Sequence, residues 1–393
     1  MDIETEIAAW RKDFLSCRCG HRHTDTDIRT VCRLAPGALE EAAAYVRRTA
    51  LSDVLLVADA ATRKAVGLRL EEELARKGVR FAVCCLTPNA AGDVTADGDA
   101  VLRVLLAADA GTRLLVAVGA GTIHDIVRLV AAKMRIPFVS VPTAPSVDGF
   151  TSAGAPVVVG GVKTTVPAVA PEALFADTEV LANAPRELIA AGYGDMIGKW
   201  TALADWLCSR ELGGEPFCPT AYRMTKEALA RCFRNEAAIA DADEKGIAAL
   251  AEALLLSGLS MQAVGHSRPA SGGEHHVSHA WEMQSLARGE RQRLHGVKVG
   301  VATVLVSALY RRLAEREPEP FARFYTDLPK PDDLAAKLRR VGAPSTPAEL
   351  GFGPERVESA LREAPGLRDR TTGLRVIRDR YPEWFAEMAR ATF

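Results

Sequence analysis

The chain has 393 residues, long enough for two domains rather than one. It is 48% hydrophobic and 25% charged, an ordinary globular balance. Its 49 basic and 50 acidic side chains leave a formal charge of −1, so no basic excess points to nucleic acid. The start, Met1-Asp2-Ile3-Glu4-Thr5-Glu6, is acidic and has no apolar stretch of the secretory kind. The most apolar segment, Ile136 to Val162, contains four prolines and four glycines, which would strand backbone groups in lipid. No membrane span is expected. Eight cysteines without a repeating pattern read as reduced thiols in a cytoplasmic protein.

In chain order, Asp53 to Ala58 is an apolar run of strand length, followed by a helical pattern from Ala60 to Lys77. Strands are expected again at Arg80–Leu86, Leu114–Val118 and Pro137–Val141, with helices at Asp97–Ala110 and Gly121–Met134. Unbroken apolar strands alternating with amphipathic helices predict a parallel sheet covered on both faces. Pro156–Val159 and Val162–Val166, joined through Gly160-Gly161, predict an appended hairpin. After Pro185 the spacing is helical throughout, over Arg186–Glu211, Ala221–Ala238, Lys245–Val264, Glu274–Leu286 and Lys298–Glu315. The expected architecture is an α/β, Rossmann-like dinucleotide-binding domain over 1–185. An all-α domain for metal and substrate follows over 186–393, with the active site in the cleft between them.

Gly119-Ala120-Gly121-Thr122-Ile123-His124-Asp125 lies between a buried strand and a helix start. Such a turn lets backbone approach a phosphate that the helix N-terminus then stabilises, although an ordinary tight turn has the same look. A side chain at Gly121 would meet the phosphate, and the position is a candidate for a backbone angle that other residues avoid. The run differs from G-x-G-x-x-G and follows the third expected strand, which argues against a standard Rossmann dehydrogenase. Thr143-Ala144-Pro145-Ser146-Val147-Asp148-Gly149 follows the next strand, at the ligand-binding edge of an open sheet. Asp148 is the one charge in its apolar stretch, and suits either hydroxyl binding or a local turn.

The helical half supplies metal-ligand types. Asp195 lies in Gly192-Tyr193-Gly194-Asp195-Met196-Ile197-Gly198-Lys199. His275 and His279 are four apart and share a helix face, and His295 opens His295-Gly296-Val297-Lys298-Val299-Gly300. Two imidazoles and one carboxylate with an open fourth position suit catalytic zinc and also Fe²⁺. Capping or solvent-facing histidines are the alternative.

These pieces occur in one order: GAGTIHD, SVPTAPSVDGFTS, GYGDMIGKWTALADW, SRPASGGEHHVSH and HGVKVGV. In that order the chain resembles the metal-dependent polyol dehydrogenase superfamily of glycerol dehydrogenase, iron-containing alcohol dehydrogenases and dehydroquinate synthase. Within it, the chain is most similar to the bacterial type of the sn-glycerol-1-phosphate dehydrogenase family. The resemblance implies an NAD- or NADP-linked alcohol dehydrogenase interconverting dihydroxyacetone phosphate and sn-glycerol 1-phosphate, a step of lipid biosynthesis. It implies Asp195, His275 and His295 as metal ligands, with Asp195, His279 and Lys199 as the catalytic set.

Asp148, Asp195, His279 and Arg268 would meet the substrate, Arg268 as the phosphate candidate ahead of Lys199 and Lys298. Asp59, Gly119, Ala120, Gly121, Thr122, Ile123, Asp125, Thr143, Ser146 and Ser152 would hold the cofactor. Iron-type members carry a histidine four residues after the aspartate, where this chain has Lys199. The resemblance therefore implies zinc on three protein ligands, with Fe²⁺ or Ni²⁺ as alternatives. A homo-oligomer of two or more subunits is also implied. The rival readings are a polyol dehydrogenase without phosphate preference, a dehydroquinate synthase-like cyclase, and an inactive ligand-binding relative. Cys17-Arg18-Cys19-Gly20-His21-Arg22-His23 is expected to be a structural lead-in, because four ligands within seven residues can hardly close a tetrahedron.

Overall fold

The structure, a computed structural model, describes residues 2–21, 23–24, 28–50 and 53–392; Met1 and Arg22 lie outside them. The described strands are β1 (Val31–Ala35), β2 (Val54–Asp59), β3 (Phe81–Leu86), β4 (Leu114–Gly119), β5 (Phe138–Pro142), β6 (Gly154–Val159), β7 (Val162–Pro167) and β8 (Ala173–Asp177). Helices α1 (Ile3–Leu15), α2 (Ala38–Ala50), α3 (Ala60–Thr62), α4 (Leu68–Arg76), α5 (Gly98–Ala107), α6 (Gly121–Met134) and α7 (Thr178–Ala182) accompany them. The rest is helical: α8 (Arg186–Gly213), α9 (Pro219–Arg234), α10 (Glu236–Asp241), α11 (Glu244–Val264), α12 (Gly273–Ala287) and α13 (His295–Arg316). Five shorter helices end the described chain: α14 (Pro318–Tyr325), α15 (Pro331–Arg340), α16 (Pro354–Glu363), α17 (Gly373–Arg380) and α18 (Glu383–Ala391).

Six of the described strands form one parallel sheet in the order β1-β8-β5-β4-β2-β3. Along β2, Val54, Leu56 and Ala58 join one core while Leu55 and Val57 join the other. β4 divides in the same way, Leu114, Val116 and Val118 against Leu115 and Ala117. Successive side chains point to opposite faces, so a strand covered on both must be apolar throughout. Helices α2 and α4 cover one face, and α5 and α6 the other. β6 and β7 form the appended hairpin, turning through Gly160 and Gly161 at φ of +58° and +80°, angles that glycine adopts readily.

The sequence reading has four of the six sheet strands and lacks β1 and β8. β8 pairs with β5 and carries β1 at the far edge. The strand order switches direction between β2 and β4, with β3 on one side and β5 on the other. Such a switch point is where open α/β sheets bind ligands, at the C-terminal ends of the strands. Asp59 ends β2, Gly119 ends β4 and Thr143 follows β5 at that edge.

Helix α8 is buried along most of its 28 residues and forms the axis of the helical half. α13 crosses it backbone against backbone. A Cβ on Gly194 would lie 2.3 Å from the Gly296 carbonyl oxygen, and one on Gly296 would lie 1.9 Å from that of Ala191. Likewise a Cβ on Gly192 would lie 1.8 Å from the Pro145 carbonyl oxygen, so the 143–149 loop rests directly on α8. These glycines are sites of close approach, and they bring Asp195 and His295 to one crossing. Among the described residues, one helix, α11, has the length and apolarity of a membrane span, and 78% of its most apolar window is buried in the fold.

Gly296→Ala should therefore lower stability by at least the roughly 1–3 kcal/mol typical of overpacking, read as the urea unfolding midpoint. Gly98→Ala, whose Cβ would meet nothing within 4 Å, is the control and should leave the midpoint unchanged or higher.

Candidate active site

The edge expected to meet the cofactor is built from the end of β4. Helix α6 starts at Gly121 behind Ala120, which supplies no side-chain cap. The first N–H groups of a helix have no acceptor within it, so Gly121, Thr122 and Ile123 present donors and positive dipole to an anion. Ile123 does so through backbone alone, since its side chain is buried in the core. A Cβ on Gly119 would strike the Ile123 side chain at 2.6 Å. Gly121 is not in the left-handed region, which corrects the expectation of an unusual backbone angle there. Its Cβ would instead face Val147 at 3.1 Å, in front of the helix.

Thr143 donates its N–H to the Gly119 carbonyl at 3.1 Å, and both Thr143 and Ser146 are buried. Ser152 Oγ accepts the Gly154 N–H at 3.0 Å. Asp59 caps α3, accepting the Thr62 N–H at 2.8 Å through Oδ1. The sequence reading passed over Arg128. Its buried guanidinium donates to the carbonyls of Ser152 (2.7 Å), Gly154 (3.1 Å) and Gly149, pinning the loop after Asp148. Asp125 stands 3.7 Å from it, and burial pushes the Asp125 acid up to about 7.

Asp148, Asp195 and Lys199 meet in the interior. Lys199 Nζ donates to Asp195 Oδ1 at 2.7 Å, Asp148 Oδ2 at 2.8 Å and the Ala270 carbonyl at 3.1 Å. With its three N–H groups committed and its side chain fully buried, Lys199 is a clamp between two aspartates and has no donor left for a phosphate. The Asp148 N–H donates to Asp195 Oδ2 at 2.9 Å, and Ser257 Oγ donates to Asp148 Oδ2 at 2.8 Å. Burial would raise the Asp195 acid, but Lys199 and His275 outweigh it and hold Asp195 well below the usual range. Burial and the Asp195 charge together push Asp148 up.

His275 Nε2 stands 3.5 Å from Asp195 Oδ1. Its Nδ1 is 2.6 Å from Glu274 Oε1, which also accepts the Gly272 N–H, while Thr201 donates to Oε2. A carboxylate behind a ring nitrogen fixes the tautomer and turns the other nitrogen toward a metal. The His275 and His295 ring centroids are 5.3 Å apart, and one donor atom each of Asp195, His275 and His295 falls within 4.8 Å of the others. His295 Nδ1 is buried without a hydrogen-bond partner among the described residues, and burial holds the ring neutral, the form that ligates metal. Asp148 and Asp195 share the Lys199 ammonium, and Glu274 backs His275, whose pKa Asp195 and Glu274 raise against the effect of burial. The donor set of one carboxylate and two imidazoles fits one divalent cation.

On the other side of His295 the sign reverses. His279, one helical turn beyond His275, has its ring centroid 5.6 Å from that of His295. Burial pushes its pKa down to about 3, so it is neutral. Glu282, 3.6 Å from its Nδ1, binds Lys163 of β7 through both oxygens at 2.8 Å and stands 3.6 Å from Lys298 Nζ. Burial, against the pull of Glu282, pushes Lys298 down to about 8. Arg368 donates to Ser267 Oγ at 2.9 Å and has no carboxylate within ion-pair distance among the described residues. Behind burial as the larger cause, its charge depresses both His276 and His279.

Arg268, the sequence candidate for a phosphate, is held by Glu215 at 2.7 Å. Glu215 also accepts the Thr371 N–H at 2.6 Å, so Arg268 braces the segment that carries Arg368 and Arg370. Lys163, Glu282 and Arg368 come from a hairpin, a mid-helix turn and the polar tail, and none lies in a motif that spacing alone marks. Among the described residues, His276, adjacent to the proposed ligand, is buried with no hydrogen-bond partner for either ring nitrogen, and it shares no donor cluster with Asp195.

Residues 33–185 match the family model described as iron-containing alcohol dehydrogenase. The chain is 47% identical over 344 residues to a protein of Bacillus subtilis named glycerol-1-phosphate dehydrogenase [NAD(P)+], covering 85% of this chain and 87% of that protein. The chain belongs to the glycerol-1-phosphate dehydrogenase family. A Geobacillus stearothermophilus protein of the same name is 43% identical over 374 residues, 90% of this chain and 92% of its own length. The glycerol dehydrogenase of Schizosaccharomyces pombe superposes with a TM-score of 0.69 at 19% identity, over 92% of this chain and 88% of that one. Membership makes the chain an oxidoreductase of the alcohol dehydrogenase kind, and Asp195, His275 and His295 bring together donors of metal-ligating types.

Replacing Lys199 by Met would leave Asp148 and Asp195 buried without their cation. Removal of one partner from such a cluster costs about 3–5 kcal/mol. The loss should be pH-dependent, because a carboxyl with a raised folded pKa contributes stability that is present at low pH and lost as pH rises through that value. The melting deficit of Lys199→Met should therefore be smaller at about pH 5 than at about pH 8. A deficit equal at both would show that the lysine acts through packing alone.

Proposed function

We propose that the chain is an NAD(P)-dependent sn-glycerol-1-phosphate dehydrogenase that interconverts dihydroxyacetone phosphate and sn-glycerol 1-phosphate. The observation that carries this reading is the polarity of the cleft. A cluster of carboxylates and imidazoles, Asp148, Asp195, Glu274, His275 and His295, lies beside one where Lys163, Lys298 and Arg368 outnumber Glu282. A divalent ion suits the first and a phosphate dianion the second, a separation that matches a short polyol carrying one phosphate.

In this reading residues 1–185 hold the dinucleotide and 186–393 the metal and most of the substrate, with Asp148 reaching over from the sheet edge. An ion held by Asp195, His275 and His295 would serve as Lewis acid on the substrate oxygen while NAD(P) exchanges the hydride. Zinc is the proposed ion, since carboxylate and imidazole donors on three protein positions suit it. Glu274 keeps the His275 ring aimed, and Lys199 keeps Asp195 ionised and Asp148 in place. Asp148 Oδ1 is left open by Ser257 and Lys199 and is the acceptor for a neighbouring hydroxyl. His279, neutral and one turn from His275, would hydrogen-bond the substrate and hand on its proton. The cofactor pyrophosphate would lie on the uncapped N-terminus of α6, with Asp59 near the adenosine. A cytoplasmic setting is proposed with this reading, supported by eight free cysteines.

Purified protein should oxidise NADH or NADPH with dihydroxyacetone phosphate far better than with dihydroxyacetone, and chelation should abolish both rates. Arg368→Ala should lower kcat/KM for the phosphorylated ketone by about 2–5 kcal/mol and change the unphosphorylated reaction much less. Arg268→Ala should affect both substrates alike, as expected of a brace. Equal losses in Arg368→Ala would remove it from the phosphate site, and a wild type preferring dihydroxyacetone would favour a polyol dehydrogenase instead.

A further inference from the structure

The lead-in Cys17-Arg18-Cys19-Gly20-His21-Arg22-His23 is not part of the active site, and its own residues do not supply a closed set of four ligands. The fold supplies another. Cys218, 195 residues after His23 in sequence, caps the N-terminus of α9 and points into the same spot. Cys218 Sγ lies 3.7 Å from Cys17 Sγ and 3.5 Å from His23 Nε2, which is itself 3.3 Å from Cys19 Sγ. All four donor atoms fall within 4.8 Å of one another.

We propose that Cys17, Cys19, His23 and Cys218 form a second, purely structural zinc site that fastens the N-terminal segment to the helical half. Zinc bonds of about 2.3 Å to sulfur and about 2.0–2.1 Å to nitrogen, at tetrahedral angles, put S···S at about 3.8 Å and S···N at about 3.6 Å. The spacings above match that figure. They do not match a disulfide between Cys17 and Cys218, whose sulfurs would lie about 2.05 Å apart. Three thiolates and one imidazole leave no open position, as a structural site requires.

Two local features shape the site. Gly20, at φ +86°, turns the chain between Cys19 and His23, an angle that favours glycine. Cys218 sits where Ser, Thr, Asp or Asn usually cap a helix, and its sulfur accepts the Ala221 N–H at 3.4 Å. A thiol is a weak acceptor there, whereas a metal-bound thiolate at a helix N-terminus is favoured by the dipole. The site would complete a strap already formed by side chains. Along α1, Glu6 pairs with Arg231 of α9 at 2.8 Å and Trp10 packs under Arg223 at 5.3 Å. β1, the edge strand of the sheet, comes next among the described elements, so the ion would fasten the N-terminal segment to α9 of the helical half.

Because the proposed catalytic ligands include no sulfur, cobalt substitution separates the two sites. Protein produced with Co²⁺ should show thiolate-to-cobalt charge-transfer absorption in the near ultraviolet. Cys218→Ser and Cys19→Ser should each abolish that band or shift it strongly and lower the melting temperature. His275→Ala should keep it. In case the cysteine variants do not fold, the wild-type zinc protein supplies a second reading: a thiol-binding mercurial should release one zinc per chain to a chromogenic chelator. No thiolate band, no zinc released, or a Cys17–Cys218 disulfide found by mass spectrometry of freshly isolated protein would each overturn the proposal, whatever the outcome at the catalytic site.

Discussion

One buried cation organises the centre of this protein. Lys199 has no solvent to fall back on, so its position is dictated by the two aspartates and the one carbonyl that take its three protons. Asp148 arrives from the end of the parallel sheet and Asp195 from the axial helix, so this ion triad ties the proposed cofactor edge to the proposed metal cluster. Beside that lysine Asp195 keeps its charge, and a donor atom each of Asp195, His275 and His295 lies within 4.8 Å of the others, a set that would suit a divalent ion.

A second buried group supports the first from behind. Asp205 of α8 accepts the N–H groups of Gly273 (2.8 Å) and Gly373 (2.9 Å) and the hydroxyls of Tyr310 (2.7 Å) and Tyr325 (2.9 Å). It therefore fixes the start of α12, two residues before His275, to three other helices. Glu274 then fixes the ring itself. Precision at the proposed metal cluster would thus rest on a carboxylate, Asp205, that is not among its ligands, in the way outer hydrogen bonds orient ligands generally.

Much of this was legible in the sequence because the relevant constraints are local. Apolar strands covered on both faces, the Gly119–Asp125 turn and the i, i+4 pair His275 and His279 each have a short-range signature. The glycines around Asp195 and His295 were visible as motifs, but their reason, two backbones in contact, appears only when α8 and α13 cross. What the sequence hid is non-local. β1 carries Arg33 within its five residues, and β8 is a short run that only its pairing with β5 marks as part of the sheet. Arg268 drew attention by nearness to His275 in the chain, yet Glu215, 53 residues away in sequence, holds it. Cys218 showed no sign of belonging with Cys17, because nothing short of the folded chain brings α9 to the N-terminal segment.

The central claim is that charge and geometry at the crossing of α8, α12 and α13 select one divalent ion. Diffraction from crystals of the metal-loaded protein, collected on both sides of the metal absorption edge, tests it most directly. The account predicts an anomalous peak bonded to Asp195, His275 and His295, with Lys199 still bridging Asp148 and Asp195 and with His276 and His279 outside bonding distance. A peak ligated by His276, or a cleft whose three proposed ligands hold no ion at saturating metal, would contradict it.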